Sequence, residues 1–114
     1  MRVSGGRELK YGYLEKVYEN AMRVELERCG LAVAQQKWLG VWYEGVLVGD
    51  YVADLIVEGT VLLEIKTCKA CDESHEAQCI NYLQTTGLIL CLLINFGPSV
   101  QIRRFRNFHP NLSL

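Results

Sequence analysis

The sequence predicts an α/β domain in which a mixed β-sheet is flanked by helices, in the order α-β-β-β-α-β(-β). Three observations lead there. A helical apolar repeat runs up to Gly30, the chain beyond Leu31 turns rich in β-branched and aromatic residues, and its central strands are apolar on both faces. Strands of that kind need cover on both sides, and only two segments have helical periodicity to supply it. This is not the strict alternation of a doubly wound fold.

Residues 1–12 contain three glycines and scattered charges, and read as a loose lead-in to a single domain covering 1–114. From Tyr13 to Cys29, Leu14, Val17, Tyr18, Ala21 and Val24 recur at helical spacing, and Gly30 is a natural stop. Strands follow near 33–43, 46–57 and 60–66, with Glu44-Gly45 as a turn. Asp72 can cap a second helix that runs to about Thr86, where Gly87 ends it. Leu88 to Phe96 is a further strand, Gly97-Pro98 a turn, and Val100 to Phe105 a last, edge strand.

Half of the 114 residues are hydrophobic and 22% are charged, which excludes a disordered chain. The longest apolar run, Leu88 to Ile94, is far short of the ~20 residues a membrane span requires. No basic segment followed by an apolar core opens the sequence, so a cytoplasmic location is expected. Five cysteines, an odd number, suit reduced thiols packed as small hydrophobes. A net charge of −1 announces no nucleic-acid binder, so any phosphate contact must come from local clusters. One such cluster is Arg103, Arg104 and Arg106, in a tail without acidic residues after Glu76; it also reads as a solvated basic edge that discourages strand pairing.

Two charges interrupt the otherwise core-like stretch Val61-Leu62-Leu63-Glu64-Ile65-Lys66. Alternation puts Glu64 and Lys66 on one face and Leu63 and Ile65 on the other. If Glu58-Gly59-Thr60 is a three-residue hairpin loop, Val57 pairs with Val61 and Asp54 lies opposite Glu64. Like charges opposite one another destabilise a ladder, and burying them unpaired costs several kcal/mol more. The arrangement asks for a cation. Either Lys66 supplies it in an ion-pair cluster, or the two carboxylates hold a divalent ion, for which hard oxygen ligands suit Mg²⁺ or Mn²⁺.

The helices contribute further polar groups. Glu15 and Glu19 share a face bordering the arc through Met22 and Leu26, within reach of a site at the sheet's edge, although Glu19 can also pair with Arg23. His75, Gln78 and Tyr82 form a strip suited to phosphate oxygens or water, or a half-buried polar seam.

Asp54, then Glu64-Ile65-Lys66, then Gln78-x-x-x-Tyr82 in the next helix resembles the PD-(D/E)XK nuclease superfamily, in its RecB-like branch. The chain resembles most the small bacterial GxxExxY family, whose name motif stands as Gly12-Tyr13-Leu14-Glu15-Lys16-Val17-Tyr18. The stretches "YLEKVYENA", "VGDYVADLIVE", "LLEIKT", "HEAQCINYL" and "GLILCLLINFG" extend the likeness over roughly residues 7 to 106. The resemblance implies a restriction-endonuclease-like core. It implies that Asp54 and Glu64 hold a catalytic metal, Mg²⁺ or Mn²⁺, helped by the backbone carbonyl of Ile65. It assigns Lys66 to the attacking water, a first-helix glutamate (Glu15 rather than Glu19) to the site, and Gln78 and Tyr82 to substrate. The implied activity is phosphodiester hydrolysis in nucleic acid, DNA or RNA, with Lys10, Lys69 and the arginine cluster as backbone contacts.

Two departures matter. Family members carry another amphipathic helix upstream, of which only Arg7-Glu8-Leu9 matches here, so completion by a homodimer or a partner protein is expected. Cys68-x-x-Cys71, His75 and Cys79 also form a rival set of zinc type, against packed thiols. The alternatives to a nuclease are thus a catalytically silent binding module of the same fold and a zinc-stabilised interaction module.

Overall fold

The computed structural model describes residues 11–69 and 72–107. The elements are α1 (Tyr11–Arg28), β1 (Val33–Tyr43), β2 (Val46–Val57), β3 (Val61–Lys66), α2 (Glu73–Thr86), β4 (Leu90–Asn95) and β5 (Gln101–Arg106). Residues 1–10 of the expected lead-in, with Lys10 and Arg7-Glu8-Leu9, lie outside the described residues, and so does Cys71. The end of that lead-in, Tyr11 and Gly12, already belongs to α1.

The five strands lie side by side in chain order, β1-β2-β3-β4-β5, so β1 and β5 are the edges. All neighbours are antiparallel except β3 and β4, which run parallel because α2 carries the chain back between them. Glu44 and Gly45, both at positive φ, make the two-residue β1–β2 turn. The β2–β3 loop is Glu58-Gly59-Thr60, and Val57 pairs with Val61 as the three-residue loop requires. α2 starts on Asp72, whose carboxylate accepts the N–H groups of Ser74 and His75. It stops at Gly87, whose left-handed φ of 73° lets its N–H return to the Leu83 carbonyl.

Two apolar layers cover the two faces of the sheet. On one, Tyr18, Met22 and Leu26 of α1 pack on Leu55, Leu63, Ile65 and Ile94. On the other, Cys79 and Leu83 of α2 pack on Ile56, Leu62, Cys91 and Leu93. The buried stripe of α1 follows Tyr18-Met22-Leu26, one per turn, and leaves Val24 exposed, because only the i, i+4, i+8 line faces β3. Tyr18 stacks on Phe96, ring centroids 4.4 Å apart, and so docks α1 against the exit of β4.

Candidate active site

β3 enters the site as a buried strand whose Glu64 shares a face with Leu62, under α2. β2 turns over where it meets Glu64. Tyr51 and Ala53 belong to the α2 side, yet Leu55 and Val57 belong to the α1 side, so the two-residue alternation breaks at Asp54. Opposite, on β1, Gln36 has a φ of 52° and drops out of a register that otherwise continues from Gln35↔Leu55 to Lys37↔Ala53. The β2–β3 ladder is regular through Leu55↔Leu63 and then changes partner: Asp54 Oδ2 accepts the Ile65 N–H at 2.8 Å. A carboxylate thus stands where a strand carbonyl would, and it lies beside Glu64. Ile65 buries its side chain against α1, so it offers the site its backbone alone.

Glu64 is 6% exposed and its Oε1 is buried without a hydrogen-bond partner. The other connection of this carboxyl is a hydrogen bond shared with Asp54. Burial, and then the Asp54 charge, push the Glu64 pKa up to about 9, against the opposing pull of Lys66. Burial also raises Asp54, offset in part by the Ile65 N–H. Without a cation the pair therefore holds a proton between its two carboxyl groups near neutral pH. Lys66 stands close enough to bias both groups, but none of the ion pairs within 4.0 Å among the described residues includes it. The direct Asp54–Glu64–Lys66 ion-pair cluster is not formed.

Glu15 reaches the same neighbourhood from α1. Burial raises its pKa, Lys66 and a hydrogen bond from the Thr67 backbone lower it, and Asp54 and His75 act on it through space. Beside it, Glu15, Thr67, Cys68 and Lys69 line an open cavity of about 330 Å³.

Glu19, expected within reach of the site or paired with Arg23, raises the Asp54 pKa through space but does not pair with Arg23. It is 4% exposed and accepts hydrogen bonds from Gln35 Nε2 at 2.6 Å, from Gln36 Nε2 at 3.0 Å and from Lys16 Nζ at 3.2 Å. Arg23 pairs with Glu27 instead. The irregular turn of β1 at Gln36 brings two amides onto one carboxylate, and that clamps α1 to the sheet.

The α2 strip is partly committed to structure. His75 completes a capping box: its Nδ1 accepts the Asp72 N–H at 3.2 Å, in the role a glutamate usually plays. Gln78 Nε2 donates to the Tyr82 hydroxyl at 2.5 Å. Tyr82 stacks flat on Tyr51 at 3.7 Å, and its pKa is raised by burial and by the nearby Glu64. The rival zinc set is dispersed among the described residues: Cys79 lies in the core, where it shares a thiol hydrogen bond with Cys91, and His75 serves the cap. All three arginines of the basic cluster are exposed, and Arg103 is paired with Glu76 at 3.1 Å.

Two positioning residues went unnoticed in the sequence. Asn95, 1% exposed, accepts the N–H groups of Cys68 and Gly97, each at 3.1 Å, and donates to the Cys68 carbonyl at 2.9 Å. Phe96 N–H adds a bond to the Lys66 carbonyl at 2.8 Å, so the end of β4 holds the exit of β3. Gly97 is required there, because a Cβ would stand 2.0 Å from the Cys68 carbonyl oxygen. The signal for Asn95 was a lone amide closing an apolar strand. Tyr51, beneath Tyr82, gave no signal beyond its nearness to Asp54.

The site thus lies on a mixed α/β sheet between two helices, where β2 turns over at one aspartate and the next strand carries a glutamate and a lysine. The chain belongs to the PD-(D/E)XK nuclease superfamily, whose family model matches residues 3–105. Among solved structures it is similar to SSO0001, with a TM-score of 0.62 at 16% identity, covering 84% of this chain and 52% of that one. It is also similar to an alkaline exonuclease (LHK-Exo) from Laribacter hongkongensis, with a TM-score of 0.57 at 15% identity, covering 81% and 55%. The chain thus spans about half the length of each, and at this identity the likeness is one of fold. No curated protein matches the sequence.

Proposed function

We propose that this protein is a divalent-metal-dependent nuclease that hydrolyses phosphodiester bonds in nucleic acid, DNA first, and that residues 1–114 form a GxxExxY-type nuclease domain of the RecB-like branch. The observation that carries the reading is the Asp54–Glu64 pair, in which a buried Glu64 oxygen has no hydrogen-bond partner beside a second carboxyl group. Among the described residues no three His, Cys, Asp or Glu side chains converge to enclose an ion. The oxygen donors of Asp54, Glu64 and the Ile65 carbonyl would suit a hard ion, with Glu15 nearby and the remaining positions left to substrate and water. Bound there, Mg²⁺ or Mn²⁺ would polarise a phosphoryl oxygen and offset the negative charge that builds on it.

The remaining roles belong to the chain. Lys66, held at the end of β3 without an ion-pair partner, orients the attacking water. Glu15 holds the Lys66–Thr67 segment in place through the Thr67 backbone. Gln78 and Tyr82 present an amide and a phenol to phosphate oxygens, with the Tyr51 stack fixing their position. Lys69, Arg104 and Arg106 are exposed and supply backbone contacts. The alkaline exonuclease among the similar folds supports this class of substrate. Incubating the protein with single- and double-stranded DNA and RNA, with Mg²⁺, Mn²⁺ or EDTA, tests it. Cleavage that requires the ion and is lost in Asp54→Asn/Glu64→Gln is the expected result; absence of cleavage on all substrates with both ions makes the protein a non-cutting module of this fold.

A further inference from the structure

The β1–β2 ribbon extends beyond the rest of the sheet. β3 is in register with only Leu55–Val57 of β2, while β1 and β2 stay paired out to Tyr43↔Val46. On this ribbon Trp38 is 49% exposed, Trp42 62% and Tyr43 66%, and Val46, Leu47, Val48 and Val52 are exposed as well. Scattered apolar residues on a surface need no explanation; these are contiguous. Trp38 is paired with Val52 and Trp42 with Leu47, so the two indoles share a face with two aliphatic side chains. Gly40 lies between them, and the rings close over it: a Cβ there would sit 2.9 Å from both Trp38 Cη2 and Trp42 Nε1, and 3.0 Å from Leu47 Cδ1. Trp38 Nε1 donates to Asp50 Oδ2 at 2.7 Å, which spends its polar atom within the ribbon. A continuous apolar patch of this kind marks an interaction site.

Charge selects the class of partner. From Lys37 to Val52 the only charged residues are Lys37, Glu44 and Asp50, a poor match to a phosphate backbone. The strand itself selects which protein. β1 is an edge of the sheet, eleven residues long and without proline, and no strand among the described residues pairs with its outer row of backbone groups. Its central sequence, Trp38-Leu39-Gly40-Val41-Trp42, reads the same in both directions as indole, aliphatic, glycine, aliphatic, indole. We propose that a second copy of this chain docks here, β1 against β1 in antiparallel register about a twofold axis at Gly40. In that register Trp38 of each copy faces Trp42 of the other, Leu39 faces Val41, and Lys37 comes beside the Tyr43-Glu44 end of its partner. Aromatic cross-strand pairs stabilise a sheet, and an isologous contact of this kind closes on itself as a dimer.

The proposal is independent of the nuclease reading, and its test needs no activity. Sedimentation equilibrium of the full chain from about 1 to 200 μM, the range in which moderate protein contacts saturate, should give twice the 13.0 kDa protomer mass. Trp38→Lys/Trp42→Lys sets like charges opposite one another across the axis and should give the protomer mass, with far-UV circular dichroism unchanged. Trp38→Glu/Trp42→Lys sets opposite charges there and should recover the dimer. A monomeric wild type overturns the proposal whatever the variants do, and so does a lysine pair that dimerises like the wild type or a Glu/Lys pair no better than the lysine pair. A monomeric wild type whose tryptophan fluorescence is quenched by oligothymidylate would instead make the ribbon a base-stacking face.

Discussion

Two buried glutamates, Glu19 and Glu64, stand in the same small protein in opposite circumstances. Glu19 is surrounded by donors: two glutamine amides and a lysine reach its oxygens. Glu64 has a neighbouring carboxyl, an oxygen without a partner and a pKa pushed up to about 9. Both lie in positions where a hydrophobic residue would cost nothing in solvation. A satisfied buried charge serves the architecture, here the joint of α1 to β1. A buried carboxyl group with an unpartnered oxygen costs stability and asks for an explanation, which the proposed metal would supply.

The largest expected effect breaks the contrast at Glu64. Asp54→Asn/Glu64→Gln should lower cleavage by more than the ~10–100-fold that loss of a supporting partner costs a metal site. The same double variant should leave the metal-free melting temperature equal or higher, since it removes two poorly compensated carboxyl groups. Activity retained, or a protein that unfolds, contradicts the assignment. At Glu19 the opposite pattern is expected. Glu19→Ala leaves the Gln35 and Gln36 amides without their acceptor and should destabilise by about 1–3 kcal/mol in urea unfolding, with any remaining folded protein still active.

The pH dependence sharpens the comparison. Burial raises Glu64 from 4.5 to about 9, so the folded state keeps a proton that the unfolded chain has released. Its contribution to stability is full below about pH 4.5 and is lost as pH climbs toward about 9. Asp54 and Glu15, also raised, act in the same direction. Melting curves of the metal-free protein should therefore fall across that window, Glu64→Gln should flatten the fall, and saturating Mn²⁺ should flatten it in the wild type. A pH-independent wild type would count against the shared proton. Smaller again is the loss expected at the β3 exit. Asn95→Ala removes the acceptor for Cys68 and Gly97 and should cost about 1–3 kcal/mol, with activity falling further than stability because Lys66 and Thr67 shift. The smallest is His75→Ala, in which the Asp72 N–H loses its partner at an exposed helix start, about 0.5–1 kcal/mol.

The helix and strand order, the Asp72 cap, the Gly87 stop and the three-residue β2–β3 loop were legible because each depends on neighbours a few residues apart. The same loop length implies Asp54 opposite Glu64, but the ladder stops at Leu55↔Leu63 and Asp54 instead accepts the Ile65 N–H. What could not be read was set by distant partners. Nothing local foretells that β2 turns over at Asp54, since the cause includes the Gln36 backbone across the ladder. Nor does the spacing of Glu19 from Arg23 reveal two glutamines from β1. The ring chemistry of His75 suits a substrate group, and nothing in that chemistry reveals that its Nδ1 also accepts the Asp72 N–H at the cap. The Trp38–Gly40–Trp42 face is a different case: an alternating apolar strand reads as core, whereas among the described residues Trp38 and Trp42 stay exposed.

The central claim is that the proton between Asp54 and Glu64 stands in for a divalent cation. Titrating Mn²⁺ into the protein at pH 7 by calorimetry, in two buffers of different ionisation enthalpy, measures both binding and the protons displaced. The account predicts saturable binding with release of about one proton per ion, and neither binding nor release in Asp54→Asn/Glu64→Gln. No binding by the wild type, with or without nucleic acid, or binding without proton release, would contradict it.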